Sequence, residues 1–254
     1  DRPILLLTND DGVHAKGLRT LREALLPLAQ VVVVAPTTEQ SATSHSITID
    51  RPLRHIEHSP DVHSIDGTPA DCIYLALFEQ RFLARRPDLV VSGINHGSNL
   101  GTGVFYSGTV AGAREGALRG IPAIAFSHDG DAEAAWLGSY VFDLVQRCLL
   151  LDKPTDHPPL LNVNFPREQP LGIRVTRVGR HIYEERVIPR VDPGGREYFW
   201  IGGKVIDYGV IEGSDKQAVD AGFVSVTPLD LEPTASEHMG LAEQDAGRGA
   251  KEAT

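Results

Sequence analysis

Ile4-Leu5-Leu6-Leu7-Thr8-Asn9-Asp10-Asp11-Gly12 is the stretch that decides how this chain reads. A short apolar run closed by turn-forming residues is the pattern of a buried strand. Beyond it the period changes: Leu18, Leu21, Leu25 and Leu28 fall at helical spacing from Gly17 onward, with Arg19, Arg22 and Glu23 between them. Val31 to Val34 is then a β-branched run closed by Ala35-Pro36. A strand, a helix and a second strand in so few residues predict a parallel sheet with a right-handed crossover.

The alternation continues outward from that unit. Thr68-Pro69-Ala70-Asp71 carries a helix start, with Thr68 as N-cap, Pro69 as N1 and Asp71 closing the box, and Ile73, Tyr74, Leu77 and Phe78 follow on one face. Leu89-Val90-Val91 is another buried strand, running into Ser92-Gly93-Ile94-Asn95. Thr109 to Arg119 predicts a helix rich in small residues, Ala123 to Phe126 a strand, Ala132 to Leu151 a helix and Leu160 to Phe165 a strand. The expected fold is α/β, a Rossmann-like, doubly wound, mostly parallel sheet. Residues 1–166 form its core and carry the active site. Residues 167–254 add a β-hairpin extension, a returning strand and a C-terminal segment, all within one domain. In that second part Ile173 to Val178 and Val187 to Val191 alternate, Asp192-Pro193-Gly194-Gly195 marks a turn, and Tyr198-Phe199-Trp200-Ile201 is an aromatic strand. Phe223 to Thr227 predicts the returning strand, and Ala242 to Thr254 a frayed end. Arg167 to Arg190 holds six Arg against three Glu, which suits a solvated hairpin, a subunit contact or a surface that attracts anions.

The chain has 254 residues, enough to bury a core without staples. Its 24 Lys and Arg against 34 Asp and Glu, a net charge of −10, argue against gripping a nucleic acid polymer. Two cysteines, Cys72 and Cys148, exclude a disulfide scaffold and a Cys-based zinc site. No apolar window is long enough to span a membrane, and the start has no signal-peptide character, so a cytoplasmic address is expected.

Ligands of such sheets bind at the carboxyl ends of the strands, near a switch in strand order. One strand end carries Asn9, Asp10 and Asp11, and another carries Asn95. Adjacent carboxylates held ionised at one strand end need a compensating cation, and hard oxygen donors suit Mg²⁺ or Mn²⁺. Asp10-Asp11-Gly12 read alone is equally a plain turn. Ser107-Gly108-Thr109, opening a Gly/Ala-rich helix, offers free N–H groups to a phosphate, or is an ordinary N-cap. Ser41 has a hydroxyl to offer a metal, although a loop serine is commonly a cap or turn residue. His45 and His96 are the histidines nearest these strand ends; either could assist proton transfer, although a surface or second-layer position is the commoner role. There is no Walker loop, Gly-x-Ser-x-Gly elbow or His-Glu-x-x-His pattern.

Taken together, these stretches resemble the SurE (survival protein E) family of stationary-phase 5′-nucleotidases. The likeness rests on Ile4 to Gly12, Ala35-Pro36 through Ser41, Gly67-Thr68-Pro69-Ala70-Asp71-Cys72, Val91-Ser92-Gly93-Ile94-Asn95 and Ser107-Gly108-Thr109-Val110-Ala111, in that order. It covers nearly the whole chain and weakens after Leu229. Tyr106 departs from it, since many members have His there, and Arg114 stands where a neutral residue is common. The resemblance implies a phosphatase acting on nucleoside 5′-monophosphates, with some members also cleaving short polyphosphate. It implies one divalent ion per subunit on Asp10, Asp11, Ser41 and Asn95. Asn9, Asn95, Ser107, Gly108 and Thr109 would contact the phosphate, and Asp10, Asp11 and Asn9 would carry catalysis. It also implies homodimers or homotetramers built partly through the hairpin and the C-terminal segment. One Asp acting as base toward water is favoured over a phospho-aspartate, since a carboxylate engaged by a metal is a poorer nucleophile. A phospho-accepting receiver domain does not fit, because Ser92-Gly93 follows Val91 where the acceptor Asp would stand. A nucleotide-binding regulator without turnover remains open on the sequence.

Overall fold

The structure is a computed structural model that describes residues 2–150, 158–180, 182–183, 186–202, 205–206 and 211–231. A nine-stranded sheet forms the centre, in the order β3-β4-β2-β1-β5-β6-β7-β13-β8. Its strands are β1 (Ile4–Thr8), β2 (Gln30–Pro36), β3 (His55–Ser59), β4 (Val62–Ile65), β5 (Leu89–His96), β6 (Ala123–His128), β7 (Leu160–Phe165), β8 (Ile173–Val175) and β13 (Val224–Leu229). From β4 to β7 every pairing is parallel, whereas β3 and β13 run antiparallel to their inner neighbours. The α/β, doubly wound expectation is therefore the architecture found.

Each strand divides its side chains between two layers, as the pleat requires. Leu5, Leu7, Val31 and Val33 face α1 (Lys16–Leu25) and α4 (Leu137–Leu149), whose Leu18, Leu21, Leu25, Val141 and Val145 complete one buried cluster. Leu6, Val32, Val34 and Val90 face α2 (Pro69–Phe78) and α3 (Gly108–Leu118), which supply Ile73, Ala76, Val110 and Ala113. Each of these large aliphatic side chains contributes about 1.5–3 kcal/mol by leaving water. The start of α2 is the capping box that the sequence predicts: Thr68 Oγ1 accepts from Asp71 N–H, and Asp71 Oδ2 accepts from Thr68 N–H. Such a cap contributes about 1 kcal/mol.

Several boundaries differ from expectation. The hairpin β3–β4 was not expected, because β3 is an edge strand whose side chains face solvent and show no apolar alternation. Helix α4 begins at Leu137 rather than Ala132, since residues 131–137 form turns, with Ala134 N–H on Asp131 O and Leu137 N–H on Ala134 O. Helix α1 ends before Leu28, and β8 stops at Val175. A short helix, α5 (Asp215–Asp220), precedes β13. The hairpin of β10 (Arg186–Val191) and β11 (Glu197–Gly202) stands off the main sheet, beside the two-residue pair β9 (Ile182–Tyr183) and β12 (Val205–Ile206). Ala242 to Thr254 lies outside the described residues. Cys72 and Cys148 are free and buried, and burial pushes both thiols up. Among the described residues no helix is long and apolar enough to cross a membrane.

Candidate active site

Strand order reverses at β1. The chain moves from β1 to β2 and β4 on one side, then returns to place β5 on the other. The carboxyl ends of β1 and β5 therefore part at a crevice, where open α/β sheets bind ligands. Asn9, Asp10 and Asp11 leave β1 on one lip, and Asn95 and His96 close β5 on the other.

Asp10 is buried, with 4% of its surface exposed. Its Oδ1 accepts a hydrogen bond from Thr109 Oγ1, and its main-chain carbonyl accepts from Gln40 N–H at 2.7 Å. Burial pushes its carboxyl up to about 6, and the Asp11 charge adds to the rise against the Thr109 hydrogen bond. Asp11 is less enclosed: its Oδ2 accepts from His96 N–H at 3.0 Å, and burial again raises its pKa. Neither of these adjacent carboxylates forms an ion pair with a lysine or arginine among the described residues, and His96 acts against burial at Asp11. Asn9 donates its Nδ2 to Gly12 O at 3.0 Å, while its buried Oδ1 has no hydrogen-bond partner.

Helix α3 brings its amino end to this carboxylate. Ser107 Oγ caps it by accepting from Val110 N–H at 3.0 Å. The N–H groups of Gly108 and Thr109 have no intrahelical acceptor, and that of Thr109 lies against the Asp10 carboxyl, acting with the Thr109 hydroxyl to lower it against burial. Gly108 is required by proximity: a Cβ there would lie 2.9 Å from Asp10 Cβ. Gly17 meets the same constraint behind the crevice, where a Cβ would fall 2.0 Å from Ile94 O.

Ser41 sits on the loop that Gln40 ties to Asp10. Its hydroxyl donates to Glu39 Oε1 at 2.7 Å, not to Asp10 or Asp11, and the residue is exposed. Asn95 donates its Nδ2 to Gly97 O at 2.8 Å. The structure therefore brings Asp10, Gly108 and Thr109 into direct contact and sets Asn9, Asp11 and Asn95 around them. Ser41 reaches the site through its backbone neighbour. His45 is turned away, with Nε2 on Glu115 Oε2 at 2.8 Å, and His96 contributes its main-chain N–H. Residues not anticipated are Glu39, which engages Ser41, and Asn99 and Asp215, which anchor the loop between β5 and α3. Asn99 and Asp215 have no sequence signal, because each acts through a contact distant along the chain, and Glu39, two residues from Ser41, belongs to no recognisable motif.

A cavity of about 360 Å³ opens beside Asp11, lined by Lys16, Ile94, His96, Gly130 and Asp131 among others. A bigger one, about 490 Å³ and lined by Phe78, Arg85, Arg86 and Arg119, lies at the amino ends of β5 and β6. Its Arg85 and Arg119 are paired with Asp88 and Glu115, and it holds none of this chemistry.

The family model for Survival protein SurE matches residues 5–185. The chain belongs to the SurE family. A 5′-nucleotidase SurE of Sorangium cellulosum (strain So ce56) is 52% identical over 250 residues, covering 95% of each chain. One from Syntrophotalea carbinolica is 45% identical over 91% of this chain and 92% of its own. The crystal structure of the SurE protein from Aquifex aeolicus superposes with a TM-score of 0.81 at 43% identity, covering 94% of this chain and 97% of that one. The SurE fold is thus the frame in which the crevice between β1 and β5 is set.

Proposed function

We infer that this chain is a 5′-nucleotidase that hydrolyses the phosphate monoester of nucleoside 5′-monophosphates with a divalent cation. The observation that carries this reading is Asp10, a buried carboxylate raised to about 6, pressed against the first turn of α3. A carboxylate pair that costs energy to ionise and a helix start that favours anions suit a cation and a phosphate bound side by side.

Asp10 and Asp11 would hold the cation, with Asn95 Oδ1 and the Ser41 hydroxyl as further oxygen donors. The donor set fits a hard ion such as Mg²⁺ or Mn²⁺: all oxygen, two negative charges, and no histidine or thiol within it. When bound, that ion supplies Lewis-acid polarisation of the phosphoryl group and neutralises charge. The N–H groups of Gly108 and Thr109 and the dipole of α3 would take up the remaining phosphate charge. Asn9 would contact the phosphate, a reading supported by its buried Oδ1, which has no hydrogen-bond partner of its own. The cavity beside Asp11 would take the body of the substrate. Phosphoryl transfer needs mainly this positioning and charge balance.

The hairpin β10–β11 supports self-association into dimers or tetramers, since its Val187, Val191, Phe199, Trp200 and Ile201 all face solvent in the single chain. Phosphate release from a panel of nucleoside monophosphates, before and after chelation and metal return, tests the activity. Tight nucleotide binding with no phosphate release would make the chain a regulator instead.

A further inference from the structure

The loop from β5 to α3, residues 97–107, ends in the turn that delivers Ser107, Gly108 and Thr109 to Asp10. Its first half is fastened to distant parts of the chain. Asn99 N–H donates to Asn164 Oδ1 at 2.8 Å, and Asn99 Nδ2 donates to Ser127 Oγ at 2.8 Å. Asn99 O accepts from Asn162 Nδ2 at 2.8 Å and Asn164 Nδ2 at 3.1 Å. Two residues on, Gly101 N–H donates to Asp215 Oδ2 at 2.8 Å. Gly101 opens a 3₁₀ turn, Gly101–Phe105, and Gly103 O then accepts from the N–H groups of Tyr106 and Ser107.

Asp215 is fully buried. Its other oxygen, Oδ1, accepts from Gly179 N–H at 3.0 Å and Lys216 N–H at 2.8 Å. All three of these partners are main-chain donors. One carboxylate thus joins the site loop, the segment from which the β9–β12 extension leaves the core, and the first turn of α5. Three converging N–H groups need acceptors only. An amide in this place would turn an N–H₂ toward one of them, so the position calls for a carboxylate.

We propose that Asp215 is a positioning residue of the nucleotidase site. It fixes the 97–107 loop, and through the 3₁₀ turn it fixes where the Gly108 and Thr109 N–H groups meet the phosphate. It also ties that alignment to the root of the extension. The proposal rests on the reading of Ser107-Gly108-Thr109 as the phosphate cradle.

The test compares Asp215→Asn, Gly179→Ala and Thr109→Ala in the full chain. Gly179→Ala sets a methyl 2.9 Å from Asp215 Oδ1, displacing the carboxylate without removing it. The measurements are KM and kcat for a nucleoside monophosphate, the inhibition constant of inorganic phosphate, and Mn²⁺ affinity by calorimetry. Misplacing the cradle should raise KM and the phosphate inhibition constant about tenfold or more in Asp215→Asn, and less in Gly179→Ala. Mn²⁺ affinity should change little in Asp215→Asn and Gly179→Ala, because Asp10 and Asp11 follow directly on β1, outside the 97–107 loop. A purely structural role would instead reduce the active fraction, lowering kcat with KM and phosphate inhibition unchanged, and that result would overturn the proposal. If Asp215→Asn does not fold, Gly179→Ala decides in the same terms. If Thr109→Ala weakens phosphate while the other two variants do not, the positioning role alone fails. If none of the three does, the turn that the Thr109 hydroxyl fixes to Asp10 does not set phosphate affinity, and the proposal fails.

Discussion

At the end of β1 the chain buries charge, and at the β10–β11 hairpin it exposes apolar side chains. Asp10 is 4% exposed, with its carboxyl pushed up to about 6. Ile201 is 91% exposed, beside Trp200 at 64% and Phe199 at 61%. Elsewhere the molecule keeps the usual order, with Leu5, Leu6, Leu7, Phe126 and Phe165 fully inside. Both exceptions depart from the rule that charge faces water and large apolar groups do not. Their costs differ in kind. Buried carboxylates are relieved by a cation and hydrogen-bond donors, whereas an apolar strand pair is relieved by another apolar surface. The first region therefore speaks of a small charged ligand, and the second of another copy of the chain.

The strongest way to break this contrast is Asp10→Asn. Turnover should fall by about a thousandfold or more, as expected when charge balance at a transferring phosphoryl group is lost. Phosphate release with saturating Mn²⁺ checks it, and activity near that of the parent would sink the cation assignment. The same change should stabilise the metal-free fold. Asp10 titrates higher folded than unfolded, so its ionisation costs stability as pH rises from about 4 through about 6, and the cost persists above. The variant should gain about 3 kcal/mol over the parent at pH 8 and almost nothing at pH 3.5, measured by denaturant unfolding in chelator. Metal removal is the companion experiment. Chelation should silence the parent and Mg²⁺ or Mn²⁺ should restore it. Below pH 6 the affinity for Mn²⁺ should fall by up to about tenfold per unit, because the proton on Asp10 competes.

The hairpin sharpens the other side. Replacing Trp200 and Ile201 by Ser and Lys should weaken self-association by about thirtyfold or more, the scale of losing buried aromatic anchors. Sedimentation velocity across a dilution series reads it. An unchanged association constant would return the hairpin to a solvated extension.

How much of this was legible in the sequence depended on whether a feature is local. Strand β1, the Thr68–Asp71 cap and Leu18, Leu21 and Leu25 of α1 are patterns of a few residues and are found as read, whereas Leu28 lies past the helix end. Strand β3 was not legible: His55-Ile56-Glu57-His58-Ser59 pairs by main-chain bonds at an edge, with no buried face to imprint a period. At the site, each lip of the crevice has a local signature, a carboxylate pair after a strand and Ser-Gly-Thr before a helix. That Thr109 meets Asp10 across 99 residues is a property of the assembled sheet, and only the family resemblance joined the two beforehand. Asp215 lies further still, 114 residues from Gly101, on a helix too short to show periodicity.

The smallest expected effect tests why Asp10 is the exception. Glu115, on the same helix as Thr109, is also buried, at 2% exposure. Burial acts to raise its pKa as it does for Asp10, yet hydrogen bonds from His45 and Arg119 outweigh it and hold the carboxyl below its usual range. Glu115 thus has a cation, Arg119, from the chain itself, and Asp10 has none among the described residues. Its contribution runs the opposite way with pH: it is present above the unfolded value near 4.3 and is lost as pH falls through the lower folded value. Glu115→Gln should therefore destabilise the fold by about 1–2 kcal/mol at pH 7, where Asp10→Asn stabilises it. The difference from the parent should shrink toward acid pH, and turnover should stay within about threefold, because the pair lies more than a turn along α3 from the phosphate end. Equal and same-signed pH responses in the two variants would mean that burial alone sets both carboxylates, and the case for an external cation at Asp10 would lose its physical basis.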